Sequence, residues 1–427
     1  MNAFLRRLPG PASPSSAASL IVLPLAAVGA ASAAALIGAC ISSAVRRLVD
    51  LSDPIVPSEE SVLASLRDDP LTMAEEVESF IREDDDAPVV LGAERTVVWV
   101  DEYAKAKTEY AVVYLHGWGA CRQECRPVPE RIAAALGANL YCARLPGHGR
   151  RHRRGRLGGG GPDGEALVEE ATPAELVQTA VDAVRVGLAI GERLVLIGMS
   201  TGGVLATWVA SLPSLRPKLA GTVLISPAYA LGHPMYPILK HTFSTLRLLP
   251  SGLGRTFRTW LINAVLGPTK IARARNVEHQ RYNALVYPSV AILNLLDVLW
   301  SLEDIDHSSV LVPTILFGNP QDRVANFRVE AANAFLRFGE VPKALHCVTR
   351  SEHPHVIASE ALSPSTVDEI SEAAILFIRT HVSGGGGLAK DVRPPPSVDD
   401  RWQSAQSGMG SFASTASLKD ITRPFEA

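Results

Sequence analysis

A serine hydroxyl becomes a useful nucleophile only where a neighbouring base takes its proton. Residues 193–210 of this chain, RLVLIGMSTGGVLATWVA, contain a serine in a setting built for that chemistry. A run of Leu and Val enters Gly198-Met199-Ser200-Thr201-Gly202, and an Ala/Leu/Trp helical pattern follows. G-x-S-x-G between a strand and a helix is a turn too tight for side chains two residues to either side of the serine. Such a turn strains the serine backbone and presents its hydroxyl at a helix N-terminus. The partial positive charge there favours developing negative charge. A glycine turn without chemistry is the bland alternative, and the strand–turn–helix setting favours Ser200 as nucleophile.

A base and a residue to orient it are expected later in the chain, in the order Ser, Asp/Glu, His, at the ends of later strands. The strand VPTILFG ends at Gly318, and Asp322 is the only carboxylate in the Asn319–Asp322 turn that follows. Asp322 is therefore the candidate acid, against the plainer reading of a solvated turn aspartate. Asp304 and Asp306 precede the strand, at its wrong end. The next strand, ALHCV, leads into residues 349–357, TRSEHPHVI, with two histidines where the base belongs. A short Ser-Glu approach argues for His353. Pro354, however, restricts His353 to extended backbone, and His355 runs at once into apolar Val356 and Ile357. His355 is the favoured base and His353 its rival. Upstream, Tyr114–Gly119 (YLHGWG) ends a strand in His-Gly. This loop is expected to supply the oxyanion hole through the backbone N–H groups of Trp118 and Thr201. His116, and His148 in the turn RLPGHG, read as structural hydrogen-bonding residues.

Positioning these groups requires strands whose ends converge. β-Branched and aromatic runs predict strands at Thr96–Val100, Ala111–Leu115, Asn139–Arg144, Arg193–Ile197, Gly221–Ile225, Val312–Phe317 and Ala344–Val348. Helical stretches such as Glu130–Leu136 and Pro173–Ile190 alternate with them. That rhythm predicts an α/β fold, a parallel sheet covered on both faces. Residues 230–308 show no obvious strand but long helical stretches at Thr242–Leu249, Arg258–Leu266 and Ser289–Leu302, which predicts a helical insertion. Arg150–Gly161 (RRHRRGRLGGGG) is a basic, glycine-rich loop, read as a mobile surface insertion or a contact for anionic headgroups.

Together, YLHGWGA, LPGHGR, IGMSTGG, FGNPQDRV and HVIASEALSP resemble the α/β-hydrolase superfamily. The resemblance is closest to carboxylesterases of bacterial type and to monoacylglycerol-lipase or serine-aminopeptidase-like members. It spans roughly residues 90–382 and implies a mostly parallel eight-stranded sheet with helices on both faces and a helical cap at about 230–308. It also implies no cofactor, Ser200 as nucleophile, Asp322 as acid and a last-loop histidine as base. The family places that histidine just before a Val-Ile/Leu pair, as at His355. The implied activity is hydrolysis of carboxylic esters through an acyl-enzyme, with peptidase or amidase action as the alternative. A catalytically idle, ligand-binding member is the rival of another class, but such members normally lack a triad residue and none is missing here. The Leu-, Tyr- and Trp-rich cap predicts an apolar pocket for a small ester or lipid-like substrate.

Composition fits this outline. With 47% hydrophobic residues among 427, a large core is affordable, and a net charge of −3 supplies no basic field for nucleic acid. Five scattered cysteines make no disulfide framework, and Cys121 and Cys125 lack a second ligand pair, so no metal site is expected. Nothing in the sequence sets the oligomeric state. The chain divides into an N-terminal segment (1–50), an acidic linker with short helices (51–88), the catalytic domain (89–382) and a tail (383–427). The tail is too poor in apolar residues to fold and is expected to be disordered. From Leu8 to Val45 there is no charge, and Leu20–Ile41 is almost wholly apolar, the roughly 20 residues a membrane-spanning helix needs. An uncleaved membrane anchor is favoured over a cleaved signal peptide or an organelle-targeting segment. Arginines on both flanks leave its orientation open. The full-length protein is expected to stay with membranes through an alkaline carbonate wash. Release of intact chain would refute an anchor, and a mature N-terminus beyond residue 30 would identify a signal peptide.

Overall fold

Alternating side chains along buried strands generate the two faces of the sheet. The computed structural model describes residues 55–82, 88–152, 161–233, 236–246 and 251–382. In chain order the strands are β1 (Thr96–Val98), β2 (Thr108–Leu115), β3 (Asn139–Cys142), β4 (Gly191–Met199), β5 (Leu219–Ile225), β6 (Thr269–Ile271), β7 (Val286–Pro288), β8 (Thr314–Gly318) and β9 (Lys343–Cys347). One sheet has the order β1-β3-β2-β4-β5-β8-β9, and β6 pairs with β7 in a separate ribbon. Only β1 runs antiparallel to its neighbour in the large sheet.

Along β2, Ala111, Val113 and Leu115 enter one core, while Tyr110, Val112 and Tyr114 enter the other. β4 divides in the same way, Leu194 and Leu196 against Val195, Ile197 and Met199. The first core is closed by helices Pro173–Ile190, Thr201–Ser211 and Ala291–Ser301, the second by Val128–Leu136 and Val367–His381. Each such Leu, Val or Ile contributes about 1.5–3 kcal/mol when fully buried. The seven predicted strands are therefore all present, with ends shifted by a few residues.

Two expectations need correction. The resemblance implied eight strands, but the described sheet has seven; ahead of β1, Val89 makes only an isolated bridge to Arg150. Residues 230–308 were read as a helical insertion with no obvious strand, and they contain the β6–β7 ribbon besides helices. β6 (TKI) and β7 (VYP) are interrupted by Lys270 and ended by Pro288, and so lack an apolar run like TVVWV at β1.

The described residues of 55–236 and 259–382 form one unit, and those of Pro237–Arg258 belong to another. In the second unit, the Arg258 guanidinium lies 5.6 Å from the centre of the Phe243 ring. In the first, helices Glu59–Asp68 and Ala74–Arg82 occupy the stretch read as a linker, and their Val62 and Val77 are buried in the first core. The apolar run Leu20–Ile41, residues 153–160 of the basic loop and the tail 383–427 lie outside the described residues. Among the described residues, no helix is long and apolar enough to cross a membrane.

The feature of this frame that matters most for chemistry is the fit between β2 and the helix after Ser200. A Cβ added to Gly202 would lie 2.1 Å from the carbonyl oxygen of Leu115. Gly202→Ala is accordingly expected to lower stability by about 1–3 kcal/mol, as overpacking does, and to displace the turn at Ser200. Thermal unfolding at wild-type Tm would contradict this.

Candidate active site

Ser200 sits between β4 and helix Thr201–Ser211 with φ +52° and ψ −115°. Positive φ on a residue with a Cβ costs about 1–3 kcal/mol, so the surroundings must enforce it. They do so from both sides. The Ser200 N–H donates to the Ile225 carbonyl at the end of β5 (3.0 Å), and the Ser200 carbonyl accepts from Gly203, Val204 and Ala228.

The predicted partners come together here. His355 Nε2 lies 2.9 Å from Ser200 Oγ, and its Nδ1 lies 2.7 Å from Asp322 Oδ2. Asp322 Oδ1 accepts from the N–H groups of Val324 (2.8 Å) and Ala325 (3.2 Å), so both carboxylate oxygens are engaged. With Asp322 accepting, the Nδ1 of His355 carries the proton and Nε2 is left to accept from the Ser200 hydroxyl. All three residues are buried. The loops that hold them are tied together: Asn319 Nδ2 donates to Ser351 Oγ across 2.9 Å, joining the segment after β8 to the one after β9.

The two histidines of the last loop divide the work. His353 does not reach Ser200; its Nδ1 accepts from the backbone N–H groups of His355 (3.2 Å) and Val356 (3.0 Å), and its own N–H donates to Ser363 Oγ. Burial, helped by Arg275 and His355, pushes its pKa down to about 4, so it stays a neutral acceptor. His116 and His148 are likewise structural. His116 Nε2 accepts from the Leu145 N–H, which leaves Nδ1–H to donate to the Gly117 carbonyl. Burial holds His116 well below the usual imidazole range and His148 at about 4.

The loop after β2 lies against Ser200, since a Cβ added to Gly117 would fall 3.0 Å from Ser200 Cβ. Neither the Trp118 nor the Thr201 backbone N–H has an acceptor among the described residues. Two unspent donors beside a hydroxyl are what an oxyanion requires. Close by, the Ala284 N–H donates to the Gly119 carbonyl (2.7 Å), bringing the insertion onto this loop. Sequence reasoning missed Glu124, whose Oε2 accepts the Gly117 N–H (2.7 Å). A lone glutamate in a loop between arginines carries no pattern that would single it out.

Cys121 and Cys125 are buried thiols; burial pushes Cys121 up to about 12 and Cys125 well above the usual thiol range. Among the described residues, no group of three or more His, Cys, Asp or Glu is placed to hold a metal ion. A cavity of about 490 Å³ between residues 161–165 and the β6–β7 ribbon includes none of the three relay residues.

The parallel sheet, with a strand–turn–helix at Ser200, agrees with the comparisons to known proteins. Residues 112–362, more than half of the chain, match the model of the alpha/beta hydrolase family, and the chain belongs to that family. A search of curated proteins returns no match. Among solved structures, the chain is similar to one from work on the metagenome-derived lipolytic enzymes LipS and LipT, at 19% identity and TM-score 0.50. That match covers 69% of this chain and 100% of the other. It is also similar to the monoacylglycerol lipase of Paleococcus ferrophilus (17%, TM-score 0.44, 67% of this chain and 99% of that one). The monoglyceride lipase of Saccharomyces cerevisiae is a third (13%, TM-score 0.45, 68% and 92%). At these identities the likeness is one of fold.

The geometry separates the two histidines by experiment. His355→Ala is expected to lower ester turnover about 10³-fold or more, the scale of losing a relay member. His353→Ala removes an acceptor that shapes the loop and should cost roughly tenfold. Rates of both variants on one ester decide the matter; the reverse ranking would make His353 the base.

Proposed function

We propose that the chain is a serine hydrolase of carboxylic esters, carboxylesterase-like or monoacylglycerol-lipase-like, working through an acyl-enzyme. The observation that carries this reading is the unbroken hydrogen-bonded series from Ser200 Oγ through His355 to Asp322. The ester class follows the sequence resemblance to carboxylesterases and monoacylglycerol lipases.

In this mechanism Ser200 Oγ attacks the ester carbonyl carbon while its proton passes to His355 Nε2. The negative charge gathered on the carbonyl oxygen is met by the N–H groups of Trp118 and Thr201. Collapse breaks the bond to the alcohol oxygen, which leaves with the proton from His355, and the acyl group stays on Ser200. Water then attacks the acyl carbon, again losing a proton to His355. The second collapse returns that proton to Ser200 and releases the carboxylic acid. Asp322 keeps the imidazole in the required tautomer and stabilises the imidazolium without taking the proton.

A fluorophosphonate probe is expected to label Ser200 and a short-chain chromogenic ester to be hydrolysed, with both abolished in Ser200→Ala. Undiminished labelling of that variant would remove the nucleophile from the account. Faster cleavage of acyl-peptide amides than of matched esters would move the assignment to a peptidase or amidase.

A further inference from the structure

Glu124 is an ionisable group beside Ser200 for which the relay has no use. It is 9% exposed, in the loop between β2 and helix Val128–Leu136. Its Oε2 accepts the Gly117 N–H at 2.7 Å. A Cβ placed on Gly117 would lie 3.0 Å from Glu124 Oε1 and 3.0 Å from Ser200 Cβ, so the carboxyl and the serine flank one residue. The neighbouring cations turn elsewhere: Arg122 lies 4.0 Å from Glu94, and Arg126 pairs with Glu130 at 2.9 Å. Burying a carboxyl without a cation costs free energy that a glutamine or an apolar residue of the same size would avoid. Retention of an acid against that cost, in contact with a reaction site, indicates a use for it.

We propose that Glu124 is a positioning residue of the hydrolytic reaction, fixing the oxyanion loop through Gly117. The inference rests on the serine-hydrolase reading above. Gly117 is held at both ends, its N–H by Glu124 and its carbonyl by His116 Nδ1–H (2.9 Å). The next amide, that of Trp118, has no acceptor among the described residues and is one of the two proposed oxyanion donors. A misplacement of about 1 Å at such a donor can cost on the order of 10²-fold in rate.

Tyr114 from β2, Cys121 and Cys125 from its own loop, and His355 from the loop after β9 all act on the carboxyl or feel its charge. Glu124 also lines a cavity of about 260 Å³ with Gln123, Arg126, Glu278, His279 and Glu360 among others. Burial pushes Glu124 up to about 7, while the Gly117 N–H, His355 and the Tyr114 hydroxyl pull it down. Burial raises the Tyr114 hydroxyl and both thiols, which therefore stay neutral near pH 7.

Glu124→Gln keeps the size and an acceptor for Gly117 but has no charge; Glu124→Ala lacks both. Ester hydrolysis by the full chain reads kcat and KM separately. In Glu124→Ala, kcat should fall about 10–100-fold with KM within about twofold, because the oxyanion contact forms in the transition state. Glu124→Gln should recover kcat to within about threefold of wild type. Wild-type kcat in the Ala variant would overturn the inference, as would a Gln variant as slow as the Ala variant. If the Ala variant does not fold, Glu124→Leu, close in size and without an acceptor, takes its place. A wild-type protein that hydrolyses no ester and takes no fluorophosphonate would instead defeat the serine-hydrolase reading itself.

Discussion

The backbone at Ser200 is held in a conformation that residues with side chains avoid, and the rest of the site depends on keeping it there. The cost is about 1–3 kcal/mol, comparable to what one fully buried Leu or Ile of the surrounding strands contributes. Gly202 permits the turn by letting the following helix touch the Leu115 carbonyl, and the Ile225 carbonyl anchors the Ser200 N–H from the neighbouring strand. Three adjacent strands, β2, β4 and β5, thus determine where one hydroxyl points. The same contact delivers the loop after β2 to the helix N-terminus, so one packing constraint sets both the nucleophile and the donors beside it.

The remaining groups are held by loops that brace one another. Asp322 is oriented by two amides of its own loop, and that loop is joined to the next by Asn319 and Ser351. His353 gathers the amides of His355 and Val356 and so sets where the base emerges. Burial keeps His116, His148 and His353 well below the usual imidazole range, so they stay neutral: His116 and His353 accept backbone N–H groups, and His148 donates to the Pro146 carbonyl. Four histidines near one serine therefore have separate tasks, decided by what each ring nitrogen touches.

The strands that carry the site were legible because they are long, apolar and separated by helices with their own period. Ser200 and Asp322 were legible because they follow such strands within a few residues. The choice of His355 over His353 rested on Pro354 and the apolar pair after His355, and the geometry brings His355 to Ser200. Less could be read where the deciding contacts are long-range or the elements are short. The β6–β7 ribbon has three residues a side, interrupted by Lys270 and ended by Pro288. The short helices expected in the linker are present at 59–68 and 74–82, but their docking was not legible, because it depends on the distant helix Pro173–Ile190. Glu124 was invisible because its meaning lies in the Gly117 amide it meets, and nothing in local spacing announces that contact.

The central claim is that hydrolysis proceeds through an acyl group on Ser200. The most direct measurement mixes the enzyme with an activated aryl ester, for which acylation outpaces deacylation, quenches in acid within the first turnovers, and maps the adduct by peptide mass. The account predicts a burst of about one phenolate per active chain and the acyl mass on the peptide bearing Ser200. Product formation that is linear from the first turnover, with no acyl group on that peptide, would contradict it.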